Sequence, residues 1–357
     1  LNYQNILIFR IGHLGDSLVA LPALWAIRKA FPAAHITLLT NIDVKNPHYI
    51  SPRNILPQSG LIDSWLSFPT TSQRTEKLRA LVRLLVDLRR EKYDALIYLM
   101  PRMRNRRQID RDRNFFRLAG ISNILGMRYL SENSLDTEIP KPVPSVTSEA
   151  EFLCDLLENC GIPIDKSERN TVLLLTDREL AAANSILTPE IDTHTGKTLI
   201  GVAPGTKWES KKWSADRFES VVARLIAEHS CYPIVFGGAE DHSLGNHLIS
   251  RWGIGLNTAG RMNVRESAAL LGRCDLYLGN DTGTMHLAAA MNTPCVAIFS
   301  AIDWRGRWHP FGTRNRIFRK TVECEGCNTP HCFNDHKCLK LIEEADVYSA
   351  CEALLGK

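Results

Sequence analysis

Three short stretches of this chain place chemically capable side chains beside glycines at the ends of apolar runs. The first is Ile11-Gly12-His13-Leu14-Gly15-Asp16, in which two glycines let backbone approach a ligand and an acid follows at once. It comes directly after the apolar run at 5–10, so Asp16 stands at the C-terminal end of a predicted strand, where open α/β sheets bind ligands. A carboxylate there can act as a general base, or it can do no more than cap a helix. The second stretch is Pro204-Gly205-Thr206-Lys207-Trp208, continued by Lys211-Lys212-Trp213; Lys211 is a cation suited to phosphate or a surface lysine in a charged loop. The third is Asp281-Thr282-Gly283-Thr284-Met285-His286, a polar turn between a buried strand and an alanine-rich helix, with Thr282 as its N-cap. Such a turn offers backbone N–H groups and the positive end of a helix dipole to an anion, although the same pattern serves as an ordinary connection in a parallel sheet. Asp281 and Glu240, the latter closing the turn Gly237-Gly238-Ala239-Glu240, can accept hydrogen bonds from sugar hydroxyls.

Two further clusters stand out. Cys324, Cys327, Cys332 and Cys338 lie close together with His331 and His336 among them. Four thiolates in one short segment are the equipment of a structural zinc or iron site, although the second pair departs from zinc-ribbon spacing and reduced thiols are the alternative. A run of arginines (Arg102, Arg104, Arg106, Arg107, Arg111, Arg113, Arg117) follows another predicted strand and suits either an anionic acceptor or a solvated helix face. It lacks the interleaved aromatics of a single-strand nucleic-acid platform.

The elements that must position these residues follow from periodicity. Apolar runs at 5–10 and 35–40 flank a helical stretch in which Pro22 marks a kink or the first turn of a new helix. That is a β-α-β unit with parallel strands. Residues 41–75 read as a long loop region, 76–92 as an amphipathic helix, 93–99 as a strand and 148–160 as a helix. The same grammar restarts later, with strands at 198–203, 233–236, 275–278 and 294–299 separated by helices at 215–229 and 263–271, and a terminal helix at 343–355. Parallel strands share an edge, so the Lys211 loop, the Gly237–Glu240 turn and the Asp281–His286 turn are expected at one side of one sheet. The predicted division is an N-terminal domain at 1–170 and a C-terminal domain at 171–357.

Composition sets the class. The 357 residues are 44% hydrophobic and 23% charged with a net charge of +4, as in globular proteins, and the charge does not single out nucleic acid as partner. No apolar run approaches the ~20 residues that span a bilayer, and the first apolar run is too short for a secretory leader. Six of the ten cysteines are scattered in apolar settings, which leads to the expectation of reduced thiols and a cytoplasmic protein. The Gly12-x-x-Gly15 turn is not the dinucleotide fingerprint, which disfavours a nicotinamide enzyme.

Taken in order, Arg10-Ile-Gly-His-Leu-Gly-Asp16 with Pro22 and Phe31-Pro32, Pro204-Gly205 with Lys211-Lys-Trp213, and Asp281-Thr-Gly-Thr-Met-His286-Leu-Ala-Ala-Ala resemble glycosyltransferase family 9, the family of ADP-heptose:lipopolysaccharide heptosyltransferases. The resemblance implies an α/β chain of GT-B architecture, two Rossmann-like domains with parallel sheets facing across a cleft, the first taking the acceptor and the second the nucleotide sugar. It implies an inverting, metal-independent transfer with no catalytic cofactor. Asp16 matches the catalytic base and Lys211 the lysine on the donor phosphates. Gly205, Thr206, Asp281, Thr282, Gly283, Thr284 and His286 fall in the donor-binding motifs, with Glu240 a weaker match because Asp241 could fill its role. Gly15, Arg102 and Arg104 are expected on the acceptor side. Thr284-Met285 stands where heptosyltransferases commonly carry Leu-Ser, which bears on the donor's identity. Expected partners are a nucleotide sugar and an anionic glycolipid at the inner membrane surface, with no nucleic acid and no membrane-spanning segment. The alternatives are another donor sugar, a protein acceptor, or a regulatory module that binds nucleotide or metal without catalysis.

Overall fold

The computed structural model describes residues 2–43, 49–57, 59–70, 73–165, 169, 171–191 and 196–356. The chain divides into two compact units, Leu1–Thr137 with Glu149–Leu174, and Glu138–Ser148 with Leu175–Lys357. The expected boundary at residue 170 lies outside the described residues.

The first unit is built on five parallel strands, β1 (Asn5–Phe9), β2 (His35–Ile42), β3 (Ser64–Pro69), β4 (Ala95–Tyr98) and β5 (Ile124–Leu125), in the order β3-β2-β1-β4-β5. Ile6, Leu7 and Ile8 of β1 are fully buried in sequence, the unbroken apolar run expected of a parallel strand covered on both faces. The chain steps outward from β1 to β2 and β3, then returns to place β4 on the other side of β1. The C-terminal ends of β1 and β4 therefore frame a switch point, where α/β sheets open a crevice. After β1 come two helices, Leu14–Leu18 and Leu21–Ala30; Pro22 lies in the first turn of the second, where its missing N–H costs nothing. The stretch 41–75, read above as loop, contains a short helix at Pro52–Ile55 and β3. This strand pairs with β2 alone and ends on Pro69, an edge position that tolerates proline and weakens the apolar signal.

The second unit has six parallel strands, β6 (Thr198–Ala203), β7 (Cys231–Val235), β8 (Leu256–Asn257), β9 (Leu276–Asn280), β10 (Cys295–Ile298) and β11 (Asn315–Phe318), in the order β11-β10-β9-β6-β7-β8. Its switch point lies between β6 and β9. The terminal helix Glu344–Leu355 belongs to this unit, burying Val347, Tyr348 and Cys351 against Phe218, Val221 and Leu225 of the helix Ala215–His229. Segment 138–148 joins the same unit through the Val143 N–H, which donates to Glu325 at 2.9 Å, and the Val146 N–H, which donates to the Arg305 carbonyl at 2.8 Å.

Candidate active site

In the first unit the switch point is held by Arg10, the residue after β1. Its guanidinium is buried, donating to the Leu99 carbonyl beyond β4 at 3.1 Å and to the Asp16 carbonyl at 2.7 Å. One side chain thus ties both diverging strand ends to the turn that carries the acid. Asp16 occupies the third position of the helix Leu14–Leu18, not its cap. One carboxylate oxygen accepts the His13 N–H at 3.0 Å, and the other lies 3.9 Å from Arg10 Nη2. The acid is partly exposed, so it is positioned without being shut off from a reactant. Gly12 has a φ of +142°, and a Cβ built on it would stand 2.2 Å from the Cβ of Asp16, so glycine is required twice over. Gly15 is the second residue of the same short helix.

Sequence reasoning missed Tyr49. Its hydroxyl lies 2.9 Å from the carbonyl oxygens of both Gly12 and Asn41, and its ring packs edge-on to His13 at 4.9 Å. Burial first, then the charges of Asp16 and Asp43, push its pKa up to about 12, which keeps the hydroxyl protonated as a donor. Its sequence neighbourhood is polar and aperiodic, so no local signal pointed to it.

Arg102 and Arg104 are committed within their own unit. Arg102 is buried over the Phe152 ring at 4.6 Å, with its backbone N–H directed at Glu149. Arg104 pairs with Asp112, whose carboxylate also accepts the Tyr98 hydroxyl at 2.7 Å. Burial and the Asp112 charge raise the Tyr98 pKa, the Arg104 charge opposing them. Arg106, Arg107 and Arg117 remain on the exposed side of the helix Arg106–Leu118. Counting charges along the sequence could not separate the two groups.

In the second unit the expected donor residues do gather at the switch point. Lys211 ends a 3-10 turn, Glu209–Lys211, and its Nζ lies 2.6 Å from an oxygen of the buried Asp281, just past β9. The loop is fixed there by Asn280, which is fully buried, donates to the Pro204 carbonyl at 2.8 Å and accepts the Trp213 N–H at 3.2 Å. Thr282 is the N-cap of the helix Gly283–Ala290 and makes no side-chain cap bond. Thr284 is its second residue, and His286 is buried edge-on to Trp308 at 6.1 Å. Trp308 is held by its Nε1, which donates to Asp303 at 2.8 Å, while Arg307 also pairs with Asp303. The density of Trp and Arg at 304–308 directly after β10 was the signal that could have brought this segment into the site.

Gly205 and Gly237 form a cradle for Asp241. A Cβ on Gly205 would stand 2.0 Å from Asp241 Oδ1, and one on Gly237 2.5 Å from Oδ2, while the Gly238 N–H donates to that carboxylate at 3.0 Å. Burial holds the Asp241 carboxyl above the usual range, the Gly238 N–H opposes it, and the Glu240 charge adds to the rise. Glu240 itself is exposed, so the acid seated among the glycines is Asp241. Thr206 follows Gly205 with its hydroxyl toward the Trp208 carbonyl at 3.5 Å.

The cysteine segment belongs to this unit. Its thiols receive backbone donors: Ala301 N–H to Cys338 at 3.4 Å, and His336 N–H to Cys332 at 3.2 Å. Asn334 Nδ2 donates to Cys324 at 3.2 Å. Burial raises the Cys338 pKa, the Ala301 N–H opposing it, with the thiols of Cys324, Cys332 and Cys327 adding to the rise. All ten cysteines are unbridged. The four sulfurs do not form a set in which three lie within 4.8 Å of one another; among the described residues Glu228, His229 and Glu352 do. His331 is exposed and His336 pairs with Glu209 at 2.6 Å.

Comparison with known proteins gives the family and the fold. Residues 81–337 match the family described as glycosyltransferase family 9 (heptosyltransferase). Lipopolysaccharide heptosyltransferase 2 of Escherichia coli K12 is 31% identical over 113 residues, 29% of this chain and 31% of that protein. The first few curated relatives are matched over only about a third to a half of their length. Among solved structures, a glycosyl transferase family 9 protein from Veillonella parvula superposes with a TM-score of 0.74 at 20% identity, covering 99% of this chain and 98% of that one. The E. coli heptosyltransferase WaaC solved with ADP-2-deoxy-2-fluoro heptose gives 0.64 at 14% identity, covering 98% and 99%. The chain shares their α/β fold of two parallel sheets.

Proposed function

The chain belongs to glycosyltransferase family 9, and from that premise we propose that it transfers a heptose from ADP-heptose to a lipopolysaccharide core acceptor. The observation that carries the reading is the Lys211–Asp281 pair, 2.6 Å apart at the switch point of the second sheet and beside an N-cap whose side chain does not cap its own helix. A lysine held there by a carboxylate can turn to a diphosphate, and the N–H groups of Gly283 and Thr284 add donors aimed at anions. Asp281 and Asp241 then accept from sugar hydroxyls, with Gly205, Thr206 and His286 shaping the same pocket and Glu240 at its exposed edge. The ADP-sugar carried by the E. coli neighbour supports ADP-heptose as the donor to try first.

The step is a single displacement with inversion. The acceptor oxygen forms its bond to the anomeric carbon as the bond from that carbon to the diphosphate breaks, and the acceptor proton passes to Asp16. Lys211 and the helix N–H groups offset the negative charge growing on the leaving nucleoside diphosphate. Gly15 and the arginine segment that begins at Arg102 and Arg104 form the acceptor side, suited to an anionic glycolipid at the cytoplasmic face of the inner membrane. The test is release of ADP from ADP-heptose in the presence of heptose-deficient core lipopolysaccharide. The reading predicts acceptor-dependent release; a donor that binds and is never turned over, with any acceptor, would leave a binding module instead.

The cysteine segment is read as a structural metal site with no part in transfer. The N–H···S bond to Cys332 supports this, since a donor at sulfur favours the thiolate, the form that binds zinc or iron, whereas burial holds Cys338 toward the thiol until an ion is bound. Closure onto a tetrahedral ion requires the sulfurs to draw together. Elemental analysis of chelator-free protein should find zinc or iron in proportion to chain, lost with Cys324→Ser; metal-free native protein would leave four reduced thiols.

A further inference from the structure

The helix Arg74–Glu91 crosses from β3 to β4, and its apolar sector is wider than the core beneath it can cover. Leu84 and Leu88 are buried, as the amphipathic pattern requires. Leu78, Val82 and Val86, spaced by four residues along one line, are 63%, 53% and 49% exposed. Three aliphatic side chains in a row left in water are a departure from scattered surface apolar residues. Arg79, Arg83 and Arg90 are exposed along one flank of the row. The helix as a whole carries six basic residues against three acidic ones. Next to it, Arg89 Nε donates to the carbonyl of Leu118 at 2.9 Å, which joins this helix to the end of Arg106–Leu118. Leu118 is itself 61% exposed, and Arg106, Arg107 and Arg117 are exposed on the same helix.

From these two neighbouring helices we propose that this face of the first unit is a docking surface for an anionic phospholipid bilayer, entered by the aliphatic row and held by the flanking arginines. The chemistry selects that occupant. Interfacial helices combine a Leu- or Val-bearing stripe with a basic flank, the stripe sinking to the headgroup boundary and the cations meeting lipid phosphates. A nucleic acid would satisfy the arginines and leave the aliphatic row in water, and it is normally met by stacking rings, which this row lacks. A neutral protein partner would cover the row and leave the arginines without counter-charges. Among the described residues no helix is long and apolar enough to cross a membrane, so the contact is with a surface.

The inference deepens the reading of a membrane-held acceptor, but it is tested with neither donor nor acceptor present, so it can fail while transfer stands. The intact protein is sedimented with phosphatidylglycerol-containing vesicles and with pure phosphatidylcholine vesicles. Leu78→Ser/Val82→Ser/Val86→Ser is compared with wild type, after circular dichroism and thermal melting have shown both equally folded. The expected result is binding to the anionic vesicles that falls about tenfold in the triple variant. Arg79→Gln/Arg83→Gln/Arg90→Gln should weaken it too, and added salt should weaken wild-type binding. Wild-type protein that stays in the supernatant, or a triple-serine variant that binds as well as wild type, would overturn the proposal. So would loss of self-association in the triple-serine variant with lipid binding unchanged, which would make the row a contact between copies.

Discussion

At the switch point of the first sheet a buried arginine joins the two diverging strands; at that of the second a buried asparagine does. Arg10 can only donate, so it binds the carbonyls of Leu99 and Asp16 and brings a fixed positive charge to within 3.9 Å of the Asp16 carboxylate. Asn280 both donates and accepts, fixing Pro204 and Trp213 with no charge of its own. The charges there belong to Asp281, one residue on, and to Lys211 of the loop after β6, bonded to each other. The first arrangement orients one carboxylate permanently. The second holds a cation in a pair that can be exchanged for another anion. A general base needs the former and a phosphate-binding lysine the latter, so the difference between the two sites follows the difference in their proposed tasks.

Each substitution that follows breaks one side of that comparison. Asp16→Asn keeps the shape of the first site and removes its proposed base; kcat for transfer should fall by ~10²–10⁴-fold with little change in donor affinity. Lys211→Ala should reduce kcat/KM by on the order of 10²-fold, seen as slower ADP release and weaker donor binding together. Because Asp281 is then left buried without its cation, Lys211→Ala/Asp281→Asn should recover thermal stability without recovering activity, separating the ion pair's structural part from its chemical one. Asn280→Ala removes the bonds to Pro204 and Trp213 and should cost about 2–4 kcal/mol in urea unfolding, since both backbone groups are left unsatisfied. The smallest effect is expected at Gly205→Ala, where the new Cβ displaces the Asp241 carboxylate; about 1–3 kcal/mol of stability is lost, and Gly205→Ala/Asp241→Ala should regain part of it.

Much of the scaffold was legible along the chain because parallel strands covered on both faces leave unbroken apolar runs, and glycine with an acid at a strand end is a local pattern. Lys211 and Asp281 were found singly in this way. Their pairing was not, because it depends on β6 and β9 being neighbours, and sheet order is not written in any one segment. Arg10 and Asn280 were given no role for the same reason, since each looks ordinary until the strand beside it is known, and Asp241 entered only as a substitute for Glu240. The reverse held for Arg102 and Arg104, conspicuous as charges yet engaged with Phe152 and Asp112 inside their own unit. β3 and β11 escaped as short edge strands whose side chains are only partly buried.

The division of labour between the two switch points can be measured most directly by calorimetric titration of ADP into Asp16→Asn and Lys211→Ala, alongside the wild-type protein. The account predicts that Asp16→Asn binds ADP as wild type does while failing to transfer, and that Lys211→Ala loses most of the affinity. ADP binding abolished by Asp16→Asn and untouched by Lys211→Ala would contradict it.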